Sequence, residues 1–232
     1  MASKPYDSLV GSLMYAHVCT RPDIAYDISI LGTFQSNHGN AHWIAAKKVL
    51  RYLQRAKEYQ LVYKRDSKLE LVGSSDSDFA SCLDSLKSTS GYIFTLANRA
   101  MPWKSVKQDI VATSTMQAEF VACYEATSQA IWLRNFINGL EIMNSIAKPV
   151  QIWCDNKAAV FYSKNNKRSP RTKQLNTKYA LTRKKVKSGE IKVDYIDTHA
   201  MLSNPLTKVL PNAVFHKHAV RMGVTATLDL LN

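Results

Sequence analysis

Apolar residues in the first quarter of the chain recur at helical spacing. "YDSLVGSLMYAHV", "RPDIAYDISILGTFQS" and "NAHWIAAKKVLRYLQRA" read as helices within residues 6 to 56, with Pro22 near one start and Asn40 as an N-cap. In the third, Trp43, Ala46, Leu50 and Leu53 recur at helical spacing while Lys47, Lys48 and Arg51 occupy other faces. From about residue 59 the period falls to two. "QLVYKR", "LELVGSS", "SGYIFTLA" and "MPWKSVK" predict successive strands of an antiparallel meander, separated by Asp-, Ser- and Asn-rich turns.

The period then returns to helical. "STMQAEFVACYEATSQAIWLRNFINGL" is the strongest helix, opened by Ser114 or Thr115 and closed by Gly139. "PVQIWCDN" predicts a short buried strand, "KAAVFYSKN" a short helix, "TKYALTRKKVK" a basic helix and "EIKVDYID" a last strand before a final helix. This order predicts an α/β domain with a mixed sheet behind an N-terminal helical appendage. The expected divisions are 1–58 for the helical segment, 59–210 for the sheet domain and 211–232 for a C-terminal helix and tail.

Three carboxylates sit where an acid is awkward. Asp76 is expected to end the strand "LVGSSD", and Asp155 the strand "VQIWCD", at strand mouths where side chains converge. At 100° per residue, Met116, Cys123, Ala126, Ala130 and Leu133 all fall within about 60° of Glu119, on the face that should press on a sheet. Other readings exist for each residue taken alone. Glu119 can snorkel from an edge position, and "SDSD" and "CDN" both suit Asx turns. Asp78 reads as a turn residue or a neighbour of the site, and Glu125, roughly 120° from Glu119, as solvated. Asn204, in "HAMLSNPLTKVL", has two readings: a helix cap followed by Pro205, or a metal ligand without charge.

Charge adds a partner class. Thirty-one Lys and Arg against 18 Asp and Glu give a net +13, which favours a polyanion, although a merely soluble basic protein has the same balance. Cys19, Cys82, Cys123 and Cys154 form no C-x-x-C pair, so reduced thiols are expected rather than a zinc site or disulfide framework. The apolar run Leu9 to Cys19 is shorter than the roughly 20 residues of a membrane span, and "MASK" does not open a secretory signal. An intracellular protein without a membrane partner is expected.

The order of acids, Asp on a first strand, Glu on the long helix and Asp on the next strand, resembles the C-terminal part of a copia-type retrotransposon polyprotein. The resemblance covers roughly residues 6 to 222. "SLVGSLMYAHVCTRPDIAYDISIL" and "HWIAAKKVLRYLQ" look like the tail of reverse transcriptase. "LVGSSDSDFA", "KSTSGYIFTLA", "PWKSVKQDIVATST", "AEFVACYEATSQAIWLR", "CDNKAAV" and "NPLTK" look like its ribonuclease H in order. Polymerase aspartates would then lie upstream of residue 1, so no polymerase activity is expected in this chain.

The resemblance implies a ribonuclease H-like five-stranded mixed sheet flanked by helices, with carboxylates holding two Mg²⁺, or Mn²⁺ in their place. It places metal ligands at Asp76, Glu119 and Asp155, and the degenerate fourth position at Asn204, where the family usually reads "ADPLTK". His199 is a candidate for proton transfer or product release, or a loop residue with no such role. "TKQLNTKY" departs from a more usual "TKHIDIKY". The implied activity is metal-dependent hydrolysis of the RNA strand of RNA–DNA hybrids, weakened by Asn204; the alternative is an inactive nucleic-acid-binding or protein-interaction remnant. The implied location is a cytoplasmic retrotransposon particle or the nucleus.

Residues 164 to 187 are basic with no acid, and as phosphate contacts they single out Lys173, Lys178, Arg183, Lys184, Lys185 and Lys187. Asn156 and Ser114 are candidate donors to 2′-hydroxyls. Trp103, Trp132 and Trp153 are expected in the core, and His17, His38, His42, His216 and His218 in structural roles.

Overall fold

The computed structural model describes residues 4–63, 69–140, 148–165 and 176–226. Helices α1 (Tyr6–Cys19), α2 (Ala25–Gly32) and α3 (Asn40–Arg55) bury Tyr6, Val10, Leu13, Ile28 and Val49 against one another. The "TRPD" break between α1 and α2 is held by charge. Arg21 Nη2 lies 2.6 Å from Asp23 Oδ2, and the Tyr52 hydroxyl donates to the same oxygen at 2.6 Å. Asn40 opens α3 rather than preceding it; Gly39 stands before the helix and donates its N–H to His42 Nδ1.

The main sheet has five strands in the order β4-β3-β2-β5-β6: β2 (Leu71–Asp78), β3 (Thr89–Leu96), β4 (Arg99–Lys107), β5 (Val150–Cys154) and β6 (Ile191–Tyr195). β2, β3 and β4 form the expected antiparallel meander, while β5 and β6 run parallel to β2. The sheet is therefore the mixed five-stranded one that the resemblance implies. The strand expected in "QLVYKR" is only Tyr59–Leu61 (β1), and it lies outside this sheet. It pairs antiparallel with Val224–Ala226 (β7), beyond the final helix.

Helix α4 (Thr115–Gly139) packs Phe120, Cys123, Ala126, Ala130 and Leu133 on one face of the sheet, with Ile152 and Val193 beneath. Ser114 caps α4, its Oγ accepting from the Gln117 N–H. Helices α5 (Lys157–Lys164) and α6 (Asn176–Lys187) follow β5. The opposite face is closed by Ile93, Ala100, Leu206, Ala219, Met222 and Val224, together with Ala25 from α2, so the helical appendage contributes to the core under the sheet.

Three local expectations change. The final helix, α7, begins at Asn212, and Asn204–Leu206 form a single 3₁₀ turn, so Asn204 caps no long helix. Trp132 is 56% exposed and stacks on exposed Phe136 rather than entering the core. It lies about 140° around α4 from Glu119, on the side away from the sheet. Glu125 is half-buried, because Lys178 of α6 stacks on neighbouring Tyr124 and covers that flank.

Candidate active site

Strand register brings the two aspartates side by side. Ser75 pairs with Cys154 in the parallel β2–β5 ladder; Asp76 is the next residue of β2, and Asp155 is the first residue after β5. β2 continues through Asp78, so Asp76 is an interior strand residue, fully buried, rather than the last one. Asp78 lies on the same face at the strand end. Glu119 enters from the first turns of α4 and is 3% exposed. Ligand oxygens of Asp76, Glu119 and Asp155 all lie within 4.8 Å of one another.

Electrostatics at this cluster are unfavourable without a cation. Burial first, then the charges of Asp76 and Asp155, raise the Glu119 pKa well above the usual carboxylate range; Lys208 and the Ser77 N–H oppose the rise. Glu119 Oε1 accepts that N–H at 3.3 Å, but Oε2 is buried with no hydrogen-bond partner. Burial and Asp76 likewise push Asp155 up, against a hydrogen bond from Thr198 and the charge of Lys208. A buried carboxylate oxygen without a donor is costly, and such oxygens are what hard divalent cations bind. The donor set thus fits a divalent ion.

Asn204 is tied to both aspartates through single intermediaries. Its Nδ2 donates to the Thr198 carbonyl at 2.6 Å, and Thr198 in turn bonds Asp155. Its backbone carbonyl accepts from Thr207 Oγ1 at 3.1 Å, and the same hydroxyl makes a short bond to Asp76 Oδ2. Asn204 Oδ1 is buried and unpartnered. Lys208 completes the cluster, with Nζ 3.2 Å from Asp76 Oδ2 and 3.4 Å from Oδ1. Thr207 and Lys208 were not singled out from sequence, though both stand inside the "NPLTK" run.

Gly91 is the third residue that the sequence did not flag. It faces Asp76 across the β2–β3 ladder, and a Cβ there would lie 2.7 Å from Thr207 Cγ2 and 2.8 Å from Leu206 Cβ. Its missing side chain lets the "NPLTK" turn press down on the carboxylates. A glycine inside the strand-like run "SGYIF" was the available signal. Beside the cluster, rather than over it, lies a cleft of about 640 Å³ between α2, α3 and this turn, which Lys208 also lines.

The remaining expected site residues are not among the three clustered carboxylates. His199 is exposed in a 3₁₀ turn, its backbone N–H held by Asp197 Oδ1 at 2.9 Å. Asn156 caps α5, with Oδ1 accepting from the Ala159 N–H at 2.9 Å, as Ser114 caps α4. On α6, Lys184 and Lys187 are exposed, whereas Lys185 pairs with Glu190 at 2.9 Å, Arg183 Nε donates to the Tyr162 carbonyl and Lys178 covers Tyr124. Lys173 lies outside the described residues, as does Gln174.

No protein-family model matches the chain. The "Retrovirus-related Pol polyprotein from transposon TNT 1-94" of Nicotiana tabacum is 39% identical over 215 residues, covering 93% of this chain and 16% of the polyprotein. The chain belongs to the copia-type retrotransposon Pol family. It spans a minor part of that relative's length. A "Secreted RxLR effector protein 161" of Plasmopara viticola is 45% identical to this copia-type chain over 133 residues, 57% of the chain and 94% of the effector. Among solved structures, LC11-RNase H1 in complex with RNA/DNA hybrid is 15% identical with a TM-score of 0.43, covering 60% of this chain and 94% of its own.

Proposed function

We propose that the chain is a ribonuclease H-type endonuclease that cuts the RNA strand of RNA–DNA hybrids with Mg²⁺ or Mn²⁺. One observation carries this reading: three carboxylates from β2, α4 and the end of β5 meet within 4.8 Å, and a buried oxygen of Glu119 has no donor. Asp76, Glu119 and Asp155 would hold divalent cation, with the Asn204 side-chain carbonyl as a neutral fourth ligand. Bound there, divalent cation supplies Lewis-acid polarisation of a phosphodiester and activation of water. The residue contributions are positional. Ser77 N–H orients Glu119, and Thr198 and Thr207 orient Asp155 and Asp76. Lys184 and Lys187, exposed on α6, supply phosphate contacts that place a duplex without reading its sequence.

Asn204 favours one second reading, a nucleic-acid-binding remnant that no longer cleaves. Cleavage of a labelled RNA–DNA hybrid in Mg²⁺ and in Mn²⁺ separates the two, with Asp155→Asn as the blank and Asn204→Asp alongside. The nuclease reading expects product from the wild type and a large gain in Asn204→Asp. No product above the blank in either metal sinks it.

A further inference from the structure

Lys208 is the one cation in contact with the carboxylate cluster among the described residues, with Nζ 3.2 Å from Asp76 Oδ2. We infer that this site takes one divalent cation, not two, because the Lys208 ammonium serves as the second cation on Asp76 and residue 204 carries no charge to offset it. The inference rests on the metal-dependent reading above and deepens it.

Asp76 is the central acid of the cluster, paired with Thr207 and Lys208 on one side and adjoining Asp155 and Glu119 on the other. An ammonium within hydrogen-bond distance of both Asp76 oxygens competes for the lone pairs that a second ion would need. The charge balance points the same way. With the three clustered carboxylates ionised, and Asp78 outside the cluster at the end of β2, Lys208 leaves two net negative charges among them, which one divalent ion neutralises. An aspartate at position 204, as in the family's usual "ADPLTK", would restore a third charge and with it a reason to hold another ion.

Lys208 is also well placed to persist there. Its side chain is 30% exposed and Asp76 is fully buried, so the pair is shielded from solvent on the acid's side. The turn that carries it is fixed by the Thr207 bonds to Asp76 and to the Asn204 carbonyl, and by the close approach of Leu206 to Gly91. A flexible lysine at the surface would swing away when an ion arrived. One anchored by its neighbours does so only at a cost, which appears as weaker metal binding.

The test counts bound Mn²⁺ by electron paramagnetic resonance of the free ion, on the whole chain, with thermal melts in parallel. Wild type is expected to bind one Mn²⁺ per chain, absent in Asp155→Asn. Lys208→Met is expected to bind that ion roughly tenfold more tightly, since a like charge is removed from its surroundings. Lys208→Arg keeps the charge and is expected to match the wild type. Asn204→Asp is expected to bind a second ion.

Two ions of comparable affinity on the wild type, or equal affinities for wild type and Lys208→Met, overturn the inference and leave the nuclease reading intact. Binding by wild type no greater than by Asp155→Asn overturns both. Should Lys208→Met fail to fold, the wild-type count and the Asn204→Asp count still decide.

Discussion

Replacing Glu119 by Gln should stabilise the metal-free protein while removing its activity. Glu119 Oε1 keeps the Ser77 N–H in either form, but Oε2 is buried beside Asp76 and Asp155 with no donor. An amide at that position removes a buried charge and presents a donor to the two aspartates. Leaving a buried polar group unsatisfied costs about 1–3 kcal/mol. In a chain of this size each kcal/mol moves Tm by roughly 2–4 °C. The variant should therefore melt roughly 2–12 °C above wild type in EDTA at pH 8.

The pH dependence fixes the cause. Because burial and two neighbouring acids raise the folded-state pKa of Glu119, the folded protein keeps this proton over a range where the unfolded chain, with a pKa of about 4.3, has released it. Stability from this group is fully present below the unfolded pKa and is lost as pH rises through the folded one. The gap between variant and wild type should thus widen from about pH 4.5 to about pH 8. Adding Mg²⁺ should raise wild type and narrow the gap, since only ligand binding to the native state stabilises it. A variant that melts below wild type in EDTA at the higher pH, or a gap that ignores pH, refutes the account of Glu119 as a carboxylate lacking its cation.

Three other substitutions probe the supports. Gly91→Ala should lower stability by about 1–3 kcal/mol and reduce hybrid cleavage more than its melt implies, because its Cβ would drive Thr207 and Leu206 from Asp76; an unchanged melt and rate would show that Gly91 has no part in seating that turn. Asp23→Asn should cost about 3–5 kcal/mol in chemical denaturation by leaving the buried Arg21 guanidinium without its carboxylate, and a loss below about 1 kcal/mol would count against it. Lys184→Ala with Lys187→Ala should reduce the salt dependence of hybrid affinity by about 0.7–0.9 per lost phosphate contact. Lys185→Ala, which loses the Glu190 ion pair instead, should leave that slope unchanged in a fluorescence-anisotropy titration.

What was legible in the sequence followed from local periodicity. The helical wheel set Glu119 on the same face as Cys123, Ala126, Ala130 and Leu133, and all of these are buried on the sheet side of α4. The same wheel, applied to Trp132, places it outside, although the apolar pattern of its segment suggests the core. Alternation marked β2 to β4, but the strand end at Asp78 was missed because its polar run "SSDSD" reads equally as a turn. Contacts between remote segments left no local trace. The ammonium of Lys208 meets an acid 132 residues earlier in the chain, and the close approach at Gly91 depends on where that same turn lands. Glu125 was misplaced for a related reason, since α6 covers its flank only after the chain has returned.

The β1–β7 pair has a consequence for the order in which the chain can fold during synthesis. Tyr59 pairs with Ala226, and Leu61 with Val224, so β1 waits for nearly everything after it before its strand exists. Such distant closure is slow because the loop entropy is lost before any contact rewards it. The α4 face can pack as soon as β5 and β6 emerge, but Leu206, Met222 and Val224 share the second core and come last. The turn holding Thr207 and Lys208 over the carboxylates should therefore settle at the close of folding, leaving a translating ribosome with an assembled sheet but an unfinished site.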